Sequence, residues 1–248
     1  MLSKNQLKRL RSLQRKKERI NTGLFVVEGT KIVNELLQNS VSFSELYATK
    51  SWFKNNSTYL AKTNCFEIDE KDLAQISTLK TPNEILLVLK QKSEVDFETV
   101  QQESIVLALD SINDPGNLGT IIRLADWFGV QHILCTSNTV DQYNPKAVQS
   151  AMGSIDKVQL HYGDLPQMLS KLKKHCIYGS DLNGSSIYST DFTGQTVLVM
   201  GSESHGISDE VLGCIQQKIT IPTFSKSGID SLNVATATAI VLSEFRSK

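Results

Sequence analysis

The chain is short of the features that usually betray a function. Its 248 residues hold only four cysteines, Cys65, Cys135, Cys176 and Cys214. They lie far apart with no Cys-x-x-Cys pair, so neither a zinc site nor a disulfide framework is indicated, and reduced thiols in a cytoplasm are expected. The four histidines, His132, His161, His175 and His205, are equally scattered, so no metal is expected. No apolar run approaches the ~18–20 residues that cross a bilayer. The opening MLSKNQLKRL lacks the apolar stretch of a secretory signal. Phosphate-loop and nucleophile signatures are missing as well. No Gly-x-Gly-x-x-Gly follows an apolar strand, which argues against a dinucleotide-dependent oxidoreductase. There is no Gly-x-x-x-x-Gly-Lys-Ser/Thr loop and no Gly-x-Ser-x-Gly elbow.

Net charge is absent too, with 26 Lys+Arg against 26 Asp+Glu. A zero total points away from nucleic acid, but the total hides an asymmetry. The first 24 residues hold eight basic side chains against one acid, Glu18, which is +7 and leaves −7 for the other 224. Lys8, Arg9, Arg11, Arg15, Lys16, Lys17 and Arg19 fall in one segment, Ser3 to about Arg19, whose leucines trace a thin apolar stripe. The pattern predicts a helix with a basic face. Such a face is either a solvated helix surface or a phosphate-contacting arm.

What is present is alternating α and β. Apolar runs at 24–28, 45–49, 65–68 and 84–89, with helical patterns between them, predict a small α/β domain over residues 1–90. The polar stretch 91–103 reads as a linker. Beyond it, SIVLALD (104–110) and TVLVM (196–200) are continuous apolar runs, as in strands buried on both faces of a parallel sheet. Residues 104–248 therefore form a second α/β domain, in which ligands gather at the carboxyl ends of the strands.

Three loops follow such strands. Asp114-Pro115-Gly116-Asn117-Leu118-Gly119 enters a helix from about Leu118, with Asn117 in an N-cap-like place and Arg123 on its first or second turn. Gly201-Ser202-Glu203-Ser204-His205-Gly206 sets a glutamate between glycines, ahead of a helix capped by Ser208. The third runs from Ile221 to a helix expected to be capped by Ser231. Each also has a plain structural explanation: turn, cap or surface residue.

Taken in order, the three loops resemble the signature motifs of the SpoU (TrmH-type) RNA ribose 2′-O-methyltransferases of the SPOUT superfamily. DPGNLGTIIRLADWFGV (114–130) resembles the first, LVMGSESHGIS (198–208) the second and IPTFSKSGIDSLNVATATAIVL (221–242) the third. NPKAVQSAMGSI (144–155), with Ser150 and Gly153, resembles the segment ahead of a strand in that family. RLRSLQRKKERINTGLFVVEGTKIVNELL (9–37) resembles its N-terminal substrate-binding domain.

The resemblance implies a parallel sheet with helices on both faces and a deep trefoil knot at its C-terminus, carried by a homodimer with the active site at the subunit interface. It implies S-adenosylmethionine as cofactor, in a pocket formed by Thr136, Met200, Gly201, Ile221, Leu232 and Ser231. It implies RNA as substrate, ribosomal before transfer RNA, with the basic arm as a contact. Arg123, Asn117, Glu203, Ser231 and Asn233 are the implied catalytic residues, with Arg123 the base. A guanidinium hardly ever gives up its proton, so Arg123 can equally hold a phosphate while another group takes the proton. Two segments depart from the family: Ser202 and Ser204 flank Glu203 where Gly-Asn-Glu-Gly is usual, and Asp126-Trp127 stands where small residues are common. The competing expectations are a non-catalytic RNA-binding relative and a SPOUT enzyme that methylates a base.

Overall fold

The computed structural model describes residues 2–93, 95–192, 194–225 and 231–247. In chain order the elements are α1 (Lys4–Ser12), α2 (Lys16–Thr22), β1 (Leu24–Glu28), α3 (Thr30–Gln38), β2 (Glu45–Ala48), α4 (Lys50–Asn55), β3 (Cys65–Glu67), α5 (Glu70–Ile76) and β4 (Ile85–Lys90). Then follow α6 (Phe97–Gln102), β5 (Ile105–Leu109), α7 (Pro115–Trp127), β6 (His132–Thr136), α8 (Pro145–Ala151), β7 (Gln159–Gly163) and α9 (Leu165–Ser170). The chain ends with β8 (Cys176–Ser186), β9 (Thr196–Met200), α10 (Asp209–Leu212), β10 (Gln217–Thr220) and α11 (Val234–Ser247). It divides into two compact units: Met1–Ser93 with Tyr143–Asp156, and Glu94–Gln142 with Lys157–Lys248.

The first unit is a mixed sheet in the order β1-β4-β2-β3. Strand β4 sits inside it, antiparallel to β1 and β2, and its run Ile85–Leu89 is wholly buried. The single helix expected over Ser3–Arg19 is two. Ser3 and Gln6 close a capping box that starts α1, and the backbone turns extended at Arg15 before α2. Arg19 secures the break. Its guanidinium, only 2% exposed, donates to the carbonyls of Leu13 (3.0 Å) and Gln14 (2.7 Å). Residues 143–156 complete this unit. Tyr143 packs its ring 4.4 Å from that of Phe25 and accepts the Lys92 N–H at 2.9 Å, and Gln149 donates to the Glu28 carbonyl at 2.7 Å.

The second unit is a six-stranded sheet in the order β10-β8-β9-β5-β6-β7, parallel at every pairing. Every residue of β5 and β9 is buried, as the unbroken apolar runs require. Residues 91–103, expected as a polar linker, include α6. Asp96 caps it, and Val100 is buried in the core with Val106, Leu134 and Leu169. Two apolar residues, Phe97 and Val100, in a six-residue helix are too few to stand out as a period within a polar stretch.

Two caps also differ from expectation. Helix α7 begins at Pro115, with Asp114 rather than Asn117 as its N-cap, so Arg123 lies on the third turn. Asn233, not Ser231, caps α11. Its side-chain oxygen accepts from the N–H groups of Ala235 (3.0 Å) and Thr236 (3.2 Å). Residues 226–230 of the loop ahead of it lie outside the described residues. No helix among the described residues is long and apolar enough to cross a membrane.

Candidate active site

The site is built where the strands of the second unit end. The Asp114 carboxylate accepts from the N–H groups of Gly116 (2.7 Å) and Asn117 (3.0 Å), and Pro115 at the first helical position has no N–H to satisfy. Asn117 is thereby fixed on the first turn of α7, with its side chain directed at the second loop. That loop is a tight turn: Ser202 and Gly206 exchange backbone hydrogen bonds, 2.9 Å each way. Only glycine fits at 201, because a Cβ there would stand 2.2–2.4 Å from the backbone of Gly206 and Ile207. The turn presents Glu203.

One oxygen of Glu203 gathers all three loops. Its Oε1 accepts from Asn117 Nδ2 (2.9 Å), Asn233 Nδ2 (2.6 Å) and the Val234 N–H (3.3 Å). Asn233 Nδ2 also donates to Asn117 Oδ1 at 3.0 Å. A carboxylate at the exposed N–H groups of α11 is favoured by those donors and by the helix dipole. Asn117, Glu203 and Asn233 are 30 to 116 positions apart in the chain, yet they form one triangle.

Beside the triangle lies a cavity of about 620 Å³, lined in part by Met200, Gly201, Ile221, Ser231, Leu232 and Val234. Its far wall is a bulge in β8. The β10 partner shifts from Gly179 to Ser185 between Lys218 and Ile219, so the chain between them swings out, and Ser180–Asn183 face the cavity. Asp181, on that wall, is paired with Lys218 at 2.8 Å. The hydrogen bond from Lys218 and that from the Asn183 N–H hold its carboxyl below the usual range.

Five of the six expected cofactor residues thus share one cavity. Thr136 does not join them. Its hydroxyl accepts the Ser111 N–H at 2.8 Å and bonds with the Thr139 hydroxyl at 3.0 Å, steadying the end of β6. Arg123 stands apart from the triangle as well. It is exposed and lines a second depression, of about 730 Å³, with Trp127, Tyr188, Ile240 and Ser243. Helix α11 separates the two hollows, giving Val234 and Ala237 to one and Ile240 and Ser243 to the other.

In the first unit the basic arm splits by role. Lys8, Arg11 and Arg15 border an open concavity of about 550 Å³ with Lys4, Ser12 and Gln75, and Lys16 and Lys17 are exposed. Arg9 is instead tied to Glu45 and to the Tyr47 hydroxyl. Arg19, buried as described, has no face to offer a ligand. Sequence reasoning missed Lys4 and Gln75, and it missed Asp110 at the end of β5, whose apolar run masked a buried carboxylate.

An all-parallel sheet whose carboxyl-end loops converge beside a cofactor-sized cavity defines an α/β enzyme domain. The comparisons narrow the class. The model of the SpoU rRNA Methylase family matches residues 104–243, and that of the MRM3-like substrate binding domain matches residues 4–87. The chain belongs to the SpoU rRNA methylase family. It is 30% identical to the 23S rRNA (guanosine(2553)-2′-O)-methyltransferase RlmP of Bacillus subtilis (strain 168), over 98% of this chain and 97% of that protein. Among solved structures it is similar to a TrmH-family protein from Porphyromonas gingivalis, with 36% identity, TM-score 0.84 and full coverage of both chains. It is similar also to the S-adenosylmethionine-bound rRNA methyltransferase from Sinorhizobium meliloti, with 27% identity, TM-score 0.87, and coverage of 100% of this chain and 96% of that one.

Proposed function

We propose that the protein transfers the methyl group of S-adenosylmethionine to a ribose 2′-hydroxyl of ribosomal RNA. The observation that carries this reading is the Asn117–Glu203–Asn233 triangle, which assembles all three family loops at the rim of the 620 Å³ cavity. The substrate is read from the 23S ribosomal RNA activity of the Bacillus subtilis relative, and the cofactor from the Sinorhizobium meliloti structure.

The cavity suits that cofactor. Its volume is that of a small-molecule site, Met200, Ile221, Leu232 and Val234 give it apolar walls, and Gly201 brings backbone close to its edge. When bound, the cofactor supplies a methyl group made electrophilic by a positive sulfur. The chain's own residues do the rest. Asn117 and Asn233, locked to each other and to Glu203, hold the rim of the cavity and the start of α11 in place. Arg123 grips an RNA phosphate, fixing the ribose so that the 2′-hydroxyl approaches in line, and the hydroxyl proton passes to a phosphate oxygen or to water as the methyl group is transferred.

The remaining family features are part of the same proposal. The protein works as a homodimer. Trp127 (83% exposed) and Tyr188 (53% exposed) form with Arg123 the apolar depression that a second copy covers, bringing Arg123 to the partner's cavity. The C-terminal segment is knotted: β10 lies at the sheet edge, yet Asn233 lies bonded between the loops of Asn117 and Glu203. Lys4, Lys8, Arg11, Arg15, Lys16 and Lys17 contact RNA phosphates. With ribosomal RNA as substrate and free thiols throughout, the setting is the cytoplasm.

The test is transfer of tritiated methyl from labelled cofactor onto total RNA lacking its modifications, followed by mapping of alkali-resistant linkages. Label in ribosomal RNA at a 2′-O position is expected. Label confined to transfer RNA moves the substrate, alkali-labile label moves the target to a base, and no label sinks the enzyme reading.

A further inference from the structure

Asp110 follows β5 and is only 2% exposed. Its carboxylate is not idle. Oδ2 accepts both the N–H and the hydroxyl of Ser208, each at 2.7 Å, and Oδ1 accepts the Ser111 hydroxyl at 2.9 Å. Its backbone N–H donates to the Met200 carbonyl at 2.9 Å. Met200 immediately precedes the Gly201–Ile207 turn and Ser208 immediately follows it. A single residue therefore grips the turn that carries Glu203 at both ends. The same residue is tied to the first loop. Ser111, next in the chain, is held at φ +61°, a conformation that non-glycine residues adopt only when their surroundings enforce it. Its N–H bonds to Thr136 at 2.8 Å, and the loop then leads to Asp114 and Asn117.

We propose that Asp110 is a positioning residue for the methyl-transfer site: by clamping Met200 and Ser208 it sets the height of the Glu203 turn against Asn117 and Asn233, and so the shape of the cofactor cavity. This rests on the cofactor and reaction proposed above. The reason lies in the length of the lever. Glu203 is exposed and sits on a turn closed by the Ser202–Gly206 pair and by the His205 N–H on the Ser202 hydroxyl at 3.1 Å, so the turn is rigid within itself and must be anchored at its base. Ser208, formally the N-cap of α10, makes no side-chain capping bond there. Its hydroxyl is committed to Asp110 instead. A cap would stabilise a four-residue helix, whereas this bond fixes a loop.

The experiment compares Asp110→Ala, Asp110→Asn and Ser208→Ala in the full chain. It uses S-adenosylmethionine titration, turnover on unmodified ribosomal RNA at saturating cofactor, RNA affinity, and amide hydrogen exchange over residues 202–207. Asp110→Ala is expected to speed exchange in the turn, weaken cofactor binding and lower kcat by roughly 10- to 100-fold, the scale of a misplacement near 1 Å. RNA affinity should hold. Asp110→Asn keeps an oxygen that accepts from Ser208 and should recover most of the loss. If Asp110→Ala does not fold, Ser208→Ala, which deletes only a hydroxyl, carries the exchange measurement. Unchanged exchange and cofactor affinity overturn the proposal, as does an Asp110→Asn variant as impaired as Asp110→Ala. A wild-type chain that methylates no RNA would overturn the reaction, while the exchange comparison still decides the clamp.

Discussion

At the scale of single residues, the site separates holding from acting. Asn117, Glu203 and Asn233 bond to one another and to the start of α11, whereas Arg123 offers its guanidinium to solvent across α11 from the triangle. Arg123→Ala should therefore leave cofactor affinity and thermal stability unchanged while lowering kcat on the order of 10²- to 10³-fold, the usual cost of removing a donor aimed at a reacting group. Single-turnover methylation beside a binding titration checks this, and full activity in the variant would remove Arg123 from the chemistry. The sequence made these residues legible as candidates through the family motifs, but not their bonding. Ser231 and Asn117 looked like caps because serine and asparagine are good caps. Asn233 and Asp114, equally good in kind, won because each is the residue immediately before its helix. Arg19 looked like an RNA contact because charge in a sequence carries no sign of burial. Only the break between α1 and α2, with two carbonyls turned inward, gives it a structural task.

Among the elements, α1 and α2 present what remains of the basic arm. Replacing Lys8, Arg15, Lys16 and Lys17 together by glutamine should weaken RNA binding and reduce the slope of log affinity against log salt by up to about three, since each lost phosphate contact on a single strand removes roughly 0.7. Cofactor affinity should not move, and an unaltered salt slope would mean the arm touches no RNA. Strands β6 and β7 make a different prediction. His132 Nδ1 and His161 Nε2 stand 3.0 Å apart, with Glu103 4.0 Å from the other side of His132 and the Phe97 ring edge-on to His161. Burial, and then the neighbouring His132, push His161 down to about 4. The unfolded chain, with an ordinary imidazole near 6.5, binds the proton first as pH falls. The contribution of His161 to stability is thus complete above about 6.5 and is lost as pH drops toward 4. Urea unfolding between these limits should show the decline, and His161→Asn should flatten it. The strands themselves were the easiest part of the fold to read, because unbroken apolar runs such as VLAL and VLVM have no other home than a buried sheet. Helix α6 was not legible, since Phe97 and Val100 alone are too few to set a period.

For the whole molecule, the exposed Trp127 and Tyr188 are the features that a lone chain does not explain. Trp127→Glu places a charge in the middle of the depression shared by α7 and α11. It should convert the proposed dimer to monomer in sedimentation runs and lower methyl transfer with it, because Arg123 then loses the partner cavity that the proposal assigns to it. A monomeric wild type would refute the assembly. The departure of Asp126-Trp127 from the family's small residues is, in the structure, a matter of the surface. Asp126 turns outward to Lys157 at 3.2 Å, and the indole is bare. No local pattern announces such a surface, because it depends on which face of α7 the sheet leaves uncovered.

The first unit borrows Tyr143–Asp156 from the middle of the chain, and this bears on how the protein is made. During synthesis Phe25 and the Glu28 carbonyl leave the ribosome long before Tyr143 and Gln149 exist to meet them. The first unit therefore cannot finish folding until residue 156 has emerged, by which time β5, α7 and β6 are already out. The two units are not beads strung in order but parts whose maturation is interleaved. A chimera joined at residue 93, the natural place to cut by eye, would transplant an unfinished domain.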